Sequence, residues 1–192
     1  SFGTLLSTQQ DQIQVSHLPF LLDADRNVLR AHVARANPHW QTLTPDREVV
    51  AVFQGPHHYV SPDWYANHPS VPTWNYAVVH VHGRPKIIED RAALTALMRD
   101  LVDEHESGMA NPWQMALPVD YLEKMLDAIV GFEIGITRMD GKFKLSQNRP
   151  PADRPLVITA LESLGNDNAR GVAGLMRDIA SGADPDTTGT AV

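Results

Sequence analysis

NYAVVHVHGRPKIIEDRAALTALMRDLVDEHE, Asn75 to Glu106, changes its period in the middle. Up to Glu89 it is rich in Val, Ile and Tyr and is bounded by turn-forming residues, the composition of a strand on a pleated, half-buried surface. From Asp90 the apolar residues Leu94, Leu97, Met98, Leu101 and Val102 recur at steps of three and four, with Asp90 as N-cap and no breaker before Gly108. A strand that runs into an amphipathic helix makes the fold mixed rather than all-β.

Ahead of this stretch, FGTLLST, QIQVSHLPFLLD, VLRAHVA and EVVAVFQG read as further strands, with Asp25-Arg26-Asn27 as a hairpin turn between two of them. Asn37-Pro38-His39-Trp40 opens a short helix, because Asn is a good N-cap and proline fits the first turn. Behind it, VGFEIGITRMDGKFKLS returns to strand alternation, with Asp140-Gly141 read as a hairpin turn. A late hairpin pairing back into the first sheet would close a barrel and remove an edge. The expected architecture is mainly β with packed helices (α+β): an antiparallel barrel closed by that hairpin. Residues 1–182 are expected to form a single domain, with helices at about 90–106, 119–129, 154–164 and 168–180 and a disordered tail at 183–192.

The chain has 192 residues and a formal net charge of −7. An acidic chain is repelled by phosphate backbones unless it gathers its basic residues into one patch; no Lys/Arg run occurs, which argues against direct DNA binding. Absence of cysteine excludes disulfides and Cys-ligated zinc. No apolar run is long enough for a membrane span and no signal-peptide pattern is visible, so a soluble cytoplasmic protein is expected. The chain begins at Ser1 without methionine, and upstream residues are expected to be missing from this numbering.

Polar and aromatic residues gather at the ends of three of these strands. His32, Arg35 and Asn37 follow one, HHYVSPDWY (His57 to Tyr65) follows the next, and PTWNY (Pro72 to Tyr76) precedes the last. Loops on a rigid scaffold are where binding groups are carried. Ser61-Pro62-Asp63 reads as a turn into a short helix whose free N–H groups could hold an anion, with Trp64, Trp74 and Tyr76 as apolar surface for a flat ring. The plain alternative is a helix cap and aromatics that fill the barrel mouth.

His80 and His82 share a strand face, and His57 and His58 could join them, yet no carboxylate or cysteine stands at a zinc-ligand spacing. Haem needs a single imidazole. GKFKLSQNRP, Gly141 to Pro150, is the most basic short segment: either a cation near an anionic ligand or a solvated strand end. Neither a Gly-x-Ser-x-Gly elbow, a phosphate-binding P-loop nor a Gly-x-Gly-x-x-Gly fingerprint is present.

Taken in order, HLPFLLD, LRAHVARANPHW, VVAVFQGPHHYVSPDWY, VPTWNYAVVHVHG and KFKLSQNRP resemble the PaiB-type FMN-binding negative transcriptional regulator family over about Thr4 to Arg170. The resemblance implies an FMN-binding split β-barrel, a homodimer with the flavin at the subunit interface, and FMN as cofactor, with a haem-binding or haem-degrading barrel as the alternative. Matched positions are His32, Arg35 and Asn37, then Ser61 and Trp64, then Thr73, Trp74 and Asn75. Arg35 with Ser61 or Thr73 is expected at the phosphate, and Trp74 with Asn75 at the ring. For haem, His17, His57, His58, His80 or His82 would be the axial ligand. Whether the protein acts indirectly on gene expression or as an FMN-dependent oxidoreductase is left open by the residues.

Overall fold

The computed structural model describes residues 1–182. Among the described residues six strands come first, then two helices, a seventh strand and two more helices: β1 Phe2–Gln9, β2 Gln12–Pro19, β3 Leu21–Asp23, β4 Val28–Ala34, β5 Val49–Val60, β6 Thr73–Ile87, α1 Arg91–Glu106, α2 Val119–Asp127, β7 Ile129–Lys144, α3 Asp153–Ser163 and α4 Asp167–Ala180. The strands form one sheet in the order β2-β1-β5-β6-β7-β4-β3. Every resolved register in it is antiparallel, as in β1 with β2 and β4 with β7. The tail expected at 183–192 lies outside the described residues.

Two expectations need correcting. QIQVSHLPFLLD is two strands, because Pro19 has no N–H to donate and Phe20 turns its own N–H to the Ser1 carbonyl at 2.7 Å. The Asp140-Gly141 hairpin is absent: β7 is one strand of sixteen residues that runs straight through it. A two-residue Asp-Gly hairpin needs φ > 0 at both positions, and neither residue adopts it. The late strand does return to the sheet, between β6 and β4, but the order keeps two ends, β2 and β3, so no hairpin closes it.

The chain divides into two compact units. The first comprises Ser1–Phe53 and His80–Met139, the second Gln54–Val79 and the chain from Asp140. In the first unit, α1 begins as the sequence requires, with the Asp90 carboxylate accepting from the Ala93 N–H at 2.7 Å. Its apolar stripe of Leu94, Leu97 and Leu101 is buried with Leu21 and Leu126. Gly131 on β7 makes that packing possible, since a Cβ there would lie 2.5 Å from a Leu94 methyl.

The same unit buries a chain of polar groups behind the short helix Pro38–Thr42. The Thr42 hydroxyl donates to the His39 carbonyl at 2.8 Å and therefore accepts from Ser7 at 2.6 Å. With its proton spent, Ser7 accepts from His39 Nε2–H at 2.9 Å, which leaves Nδ1 to accept from Ser16 at 2.8 Å, and Ser16 accepts from Asn37 Nδ2 at 3.0 Å. Each donor is used once, so the network assigns a neutral His39 protonated at Nε2. Burial likewise holds the His39 pKa below the usual histidine value.

The second unit has its own core: Val60, Tyr65, Leu145, Val157, Leu161, Val172, Ala173 and Met176, with Trp64 packed against it. Gly171 of α4 meets Pro56 so closely that a Cβ would lie 2.7 Å from the proline ring.

A cationic cleft as candidate functional site

Positions 73 to 76 alternate as a strand must. Asn75 is fully buried; its amide nitrogen donates to the Ser146 hydroxyl at 2.9 Å and to Met176 Sδ at 3.4 Å. Thr73, on the same face, accepts from Lys144 Nζ at 2.7 Å. Trp74 points the other way and is 53% exposed, with its ring 6.4 Å from His57 and 6.1 Å, edge-on, from Tyr59. Trp74 and Asn75, both expected at one ring, therefore stand on opposite faces of β6.

The inward face opens on a cleft of about 300 Å³ lined by Thr73, Asn75, Lys144, Ser146, Asn148 and Arg149 among others. Ser146 takes the left-handed conformation at φ 62°, and the Arg149 N–H returns to its carbonyl at 3.0 Å, so the chain turns sharply there and brings both cations to the same opening. The Arg149 guanidinium lies 3.8 Å over the Tyr65 ring and reaches the Ser70 hydroxyl and the Val71 carbonyl only at 3.4 Å. No carboxylate lines this cleft among the described residues.

Arg35 and Arg91, the cations of a second opening, are already engaged. Arg35 donates to the carbonyls of Asp127 at 2.7 Å and Ile129 at 2.9 Å at the end of α2, and its neighbour Arg91 pairs with Asp127 and Glu123. The opening they share, also lined by Glu89 and Asp127, is poorly suited to a phosphate dianion. The chemistry of the donor set, two cations with hydroxyl and amide groups, fits a phosphomonoester at the Lys144–Arg149 cleft. Its volume takes the phosphate end of a nucleotide and leaves a tricyclic ring outside.

The remaining expected site residues have these places. His32 on β4 faces Gly131 in register; its Nδ1 is buried without a partner among the described residues, and burial lowers its pKa. Asn37 caps the Pro38 helix through His39 N–H at 3.0 Å. Ser61 caps the short helix Pro62–Trp64 by accepting from Asp63 N–H at 3.3 Å. His32, Arg35 and Asn37 belong to the first unit, and Ser61, Trp64, Thr73, Trp74 and Asn75 to the second. The expected site list omits Lys144, Ser146 and Arg149, although the basic run GKFKLSQNRP carries the signal for them.

The class is α+β, an open antiparallel sheet with flanking helices, and it carries a cationic cleft. The chain belongs to the family described as "Putative FMN-binding domain", which matches residues 1–138. It is 37% identical over 182 residues to the protease synthase and sporulation protein PAI 2 of Bacillus subtilis, covering 93% of this chain and 86% of that protein. An uncharacterized protein of Emericella nidulans is 35% identical, with coverage of 86% and 82%. Among solved structures, the flavocytochrome Anf3 from Azotobacter vinelandii superposes with a TM-score of 0.59 at 18% identity, over 74% of this chain and 61% of that one. The FAD and haem binding protein from Mycobacterium smegmatis follows at 0.57 and 15%, over 74% and 65%. At these identities the likeness is one of fold. Among the described residues no helix is long and apolar enough to cross a membrane.

Proposed function

We propose that this chain is a cytoplasmic, homodimeric flavoprotein that holds the FMN phosphate in the cleft of Thr73, Lys144, Ser146 and Arg149. The observation that carries the reading is charge: this cleft has two cations and no lining carboxylate, in a chain whose net charge is −7. Bound FMN would supply hydride and electron transfer. The chain's own residues would bind and orient it. Lys144 and Arg149 would neutralise the phosphate and the Thr73 hydroxyl would donate to it, while Ser146 and the buried Asn75 amide, bonded to each other, fix the shape of the cleft. The exposed face of Trp74, Tyr59 and His57 is the surface for a second copy, since an unpaired indole beside two further rings is what an interface core buries. An acidic chain that effects a transcriptional response would do so indirectly, through redox chemistry or a protein partner.

The test is a near-ultraviolet and visible absorption spectrum of the purified protein, before and after stoichiometric FMN, with flavin recovery on denaturation. Flavin bands that shift on binding support the reading, and free-flavin bands throughout overturn it. Trp74→Ala is expected to lower the dimer fraction in light scattering; an unchanged mass and unchanged FMN affinity would remove the residue from the account.

One observation favours haem as a second ligand class. His57 Nδ1 sits 3.2 Å from the Gly55 carbonyl and 3.4 Å from the Gln54 amide nitrogen; in the tautomer that donates to the carbonyl, the shorter contact, Nε2 is an open lone pair beside Trp74. A Soret band on haemin addition, lost in His57→Ala, would establish it, and no band would exclude it.

A further inference from the structure

A groove of about 750 Å³ in the first unit, lined in part by α1, shares no residue with the phosphate cleft. Half of its lining is apolar, with Leu43 and Leu97 almost fully buried and the small side chains of Ala93 and Ala96 on the helix side. Two groups in this lining have hydrogen-bonding capacity to spare. Arg30 is four-fifths buried and pairs through Nη1 with Asp100 at 2.7 Å, yet its Nε–H is buried without a partner among the described residues. A buried guanidinium donor left unpaired costs free energy that a bound acceptor would recover. Lys86, on the next strand but one, forms no ion pair among the described residues.

The acidic groups of the lining restrict what can bind. Arg26 is held by Glu133 at 2.7 Å and Asp90 by the first turn of α1, so neither is open to a ligand. Glu89, at the exposed rim, forms no ion pair among the described residues. The lining carries as many carboxylates as cations, so it offers no net field to offset the desolvation of a dianion, a cost that rises with the square of the charge, and a monoanion is the better fit.

We propose that this groove binds a small organic monoanion, a carboxylate with an apolar body, its charge between Arg30 Nε and Lys86 Nζ and its body against Leu43, Ala93, Ala96 and Leu97. The site does not depend on flavin binding, and it prefers the ligand class that the phosphate cleft does not.

Benzoate is the probe, titrated into ¹⁵N-labelled protein while the Arg30 Nε–H and Ala96 amide resonances are followed, with inorganic phosphate as the comparison. The expected result is a saturable shift of both resonances in the millimolar range of a fragment, at least tenfold weaker in Lys86→Glu and abolished in Ala96→Trp. Phosphate is expected to leave them unmoved. Both substitutions fall at exposed positions, and the unaffected part of each spectrum verifies the fold. The proposal is overturned if benzoate moves neither resonance, if both variants bind as the parent does, or if phosphate shifts the groove as strongly as benzoate.

Discussion

Replacing Lys144 by Met tests the phosphate assignment directly, because it removes the ammonium and keeps most of the stem. Two unit charges about 4 Å apart interact by about 1 kcal/mol in water and about 4 kcal/mol at an effective dielectric of about 20. Lys144 is exposed on one side, so the lower half of that range applies, about 1–2 kcal/mol. At 1.4 kcal/mol per decade this is a rise of roughly 5- to 30-fold in the Kd for FMN. Riboflavin has the same ring and no phosphate, so its affinity should not move. Quenching of flavin fluorescence, titrated with both flavins in parent and variant, reads the ratio of the two affinities, and a thermal melt verifies that the loss of one bond to the Thr73 hydroxyl leaves stability within about 0.5 kcal/mol. Unchanged FMN affinity, or equal loss for both flavins, would refute the assignment.

Arg35→Ala should leave FMN binding intact and loosen the end of α2, costing about 1 kcal/mol, since its guanidinium serves the Asp127 and Ile129 carbonyls; faster amide exchange at residues 125–129 checks this. Stability should be full above pH about 6.5 and decline as the pH falls below it, because burial depresses the folded-state pKa of His32 and His39 and the unfolded chain then takes up protons that the folded one refuses; urea midpoints across that interval should fall with pH, and a flat profile would contradict the sign. Gly83→Ala places a Cβ 2.4 Å from the Gly135 carbonyl oxygen and 2.5 Å from an Ile134 methyl, and should cost about 1–3 kcal/mol in a denaturation measurement.

What can be read from this sequence is whatever short-range physics decides. The periodicity from Asp90 to Glu106 yields a helix that the structure places at Arg91–Glu106 with the expected cap, and Asn37 and Ser61 cap short helices where side-chain chemistry says they should. Asp140-Gly141 misleads because its local turn preference is overruled by the pairing of a long strand. The cleft is harder to see. Lys144 and Ser146 meet Thr73 and Asn75 across 71 positions of chain, and the strand alternation that separates Trp74 from Asn75 matters only once it is known which face is inside. Arg35 looks like a phosphate ligand in isolation because nothing nearby in sequence tells that two carbonyls some ninety residues on will occupy it.

The relay from Asn37 through Ser16, His39 and Ser7 to Thr42 reads in one sense only, because it starts at an amide that can only give and ends at a carbonyl that can only take. Every hydroxyl along it is thereby told which way to turn, and the imidazole which nitrogen to protonate, by groups at the two ends. Such a wire has no lower-cost reversed state. An isosteric change of Thr42 to Val would remove the terminal donor and free Ser7 to point elsewhere, so that the tautomer of a ring it barely touches, visible in the imidazole ¹⁵N shifts, would become a mixture.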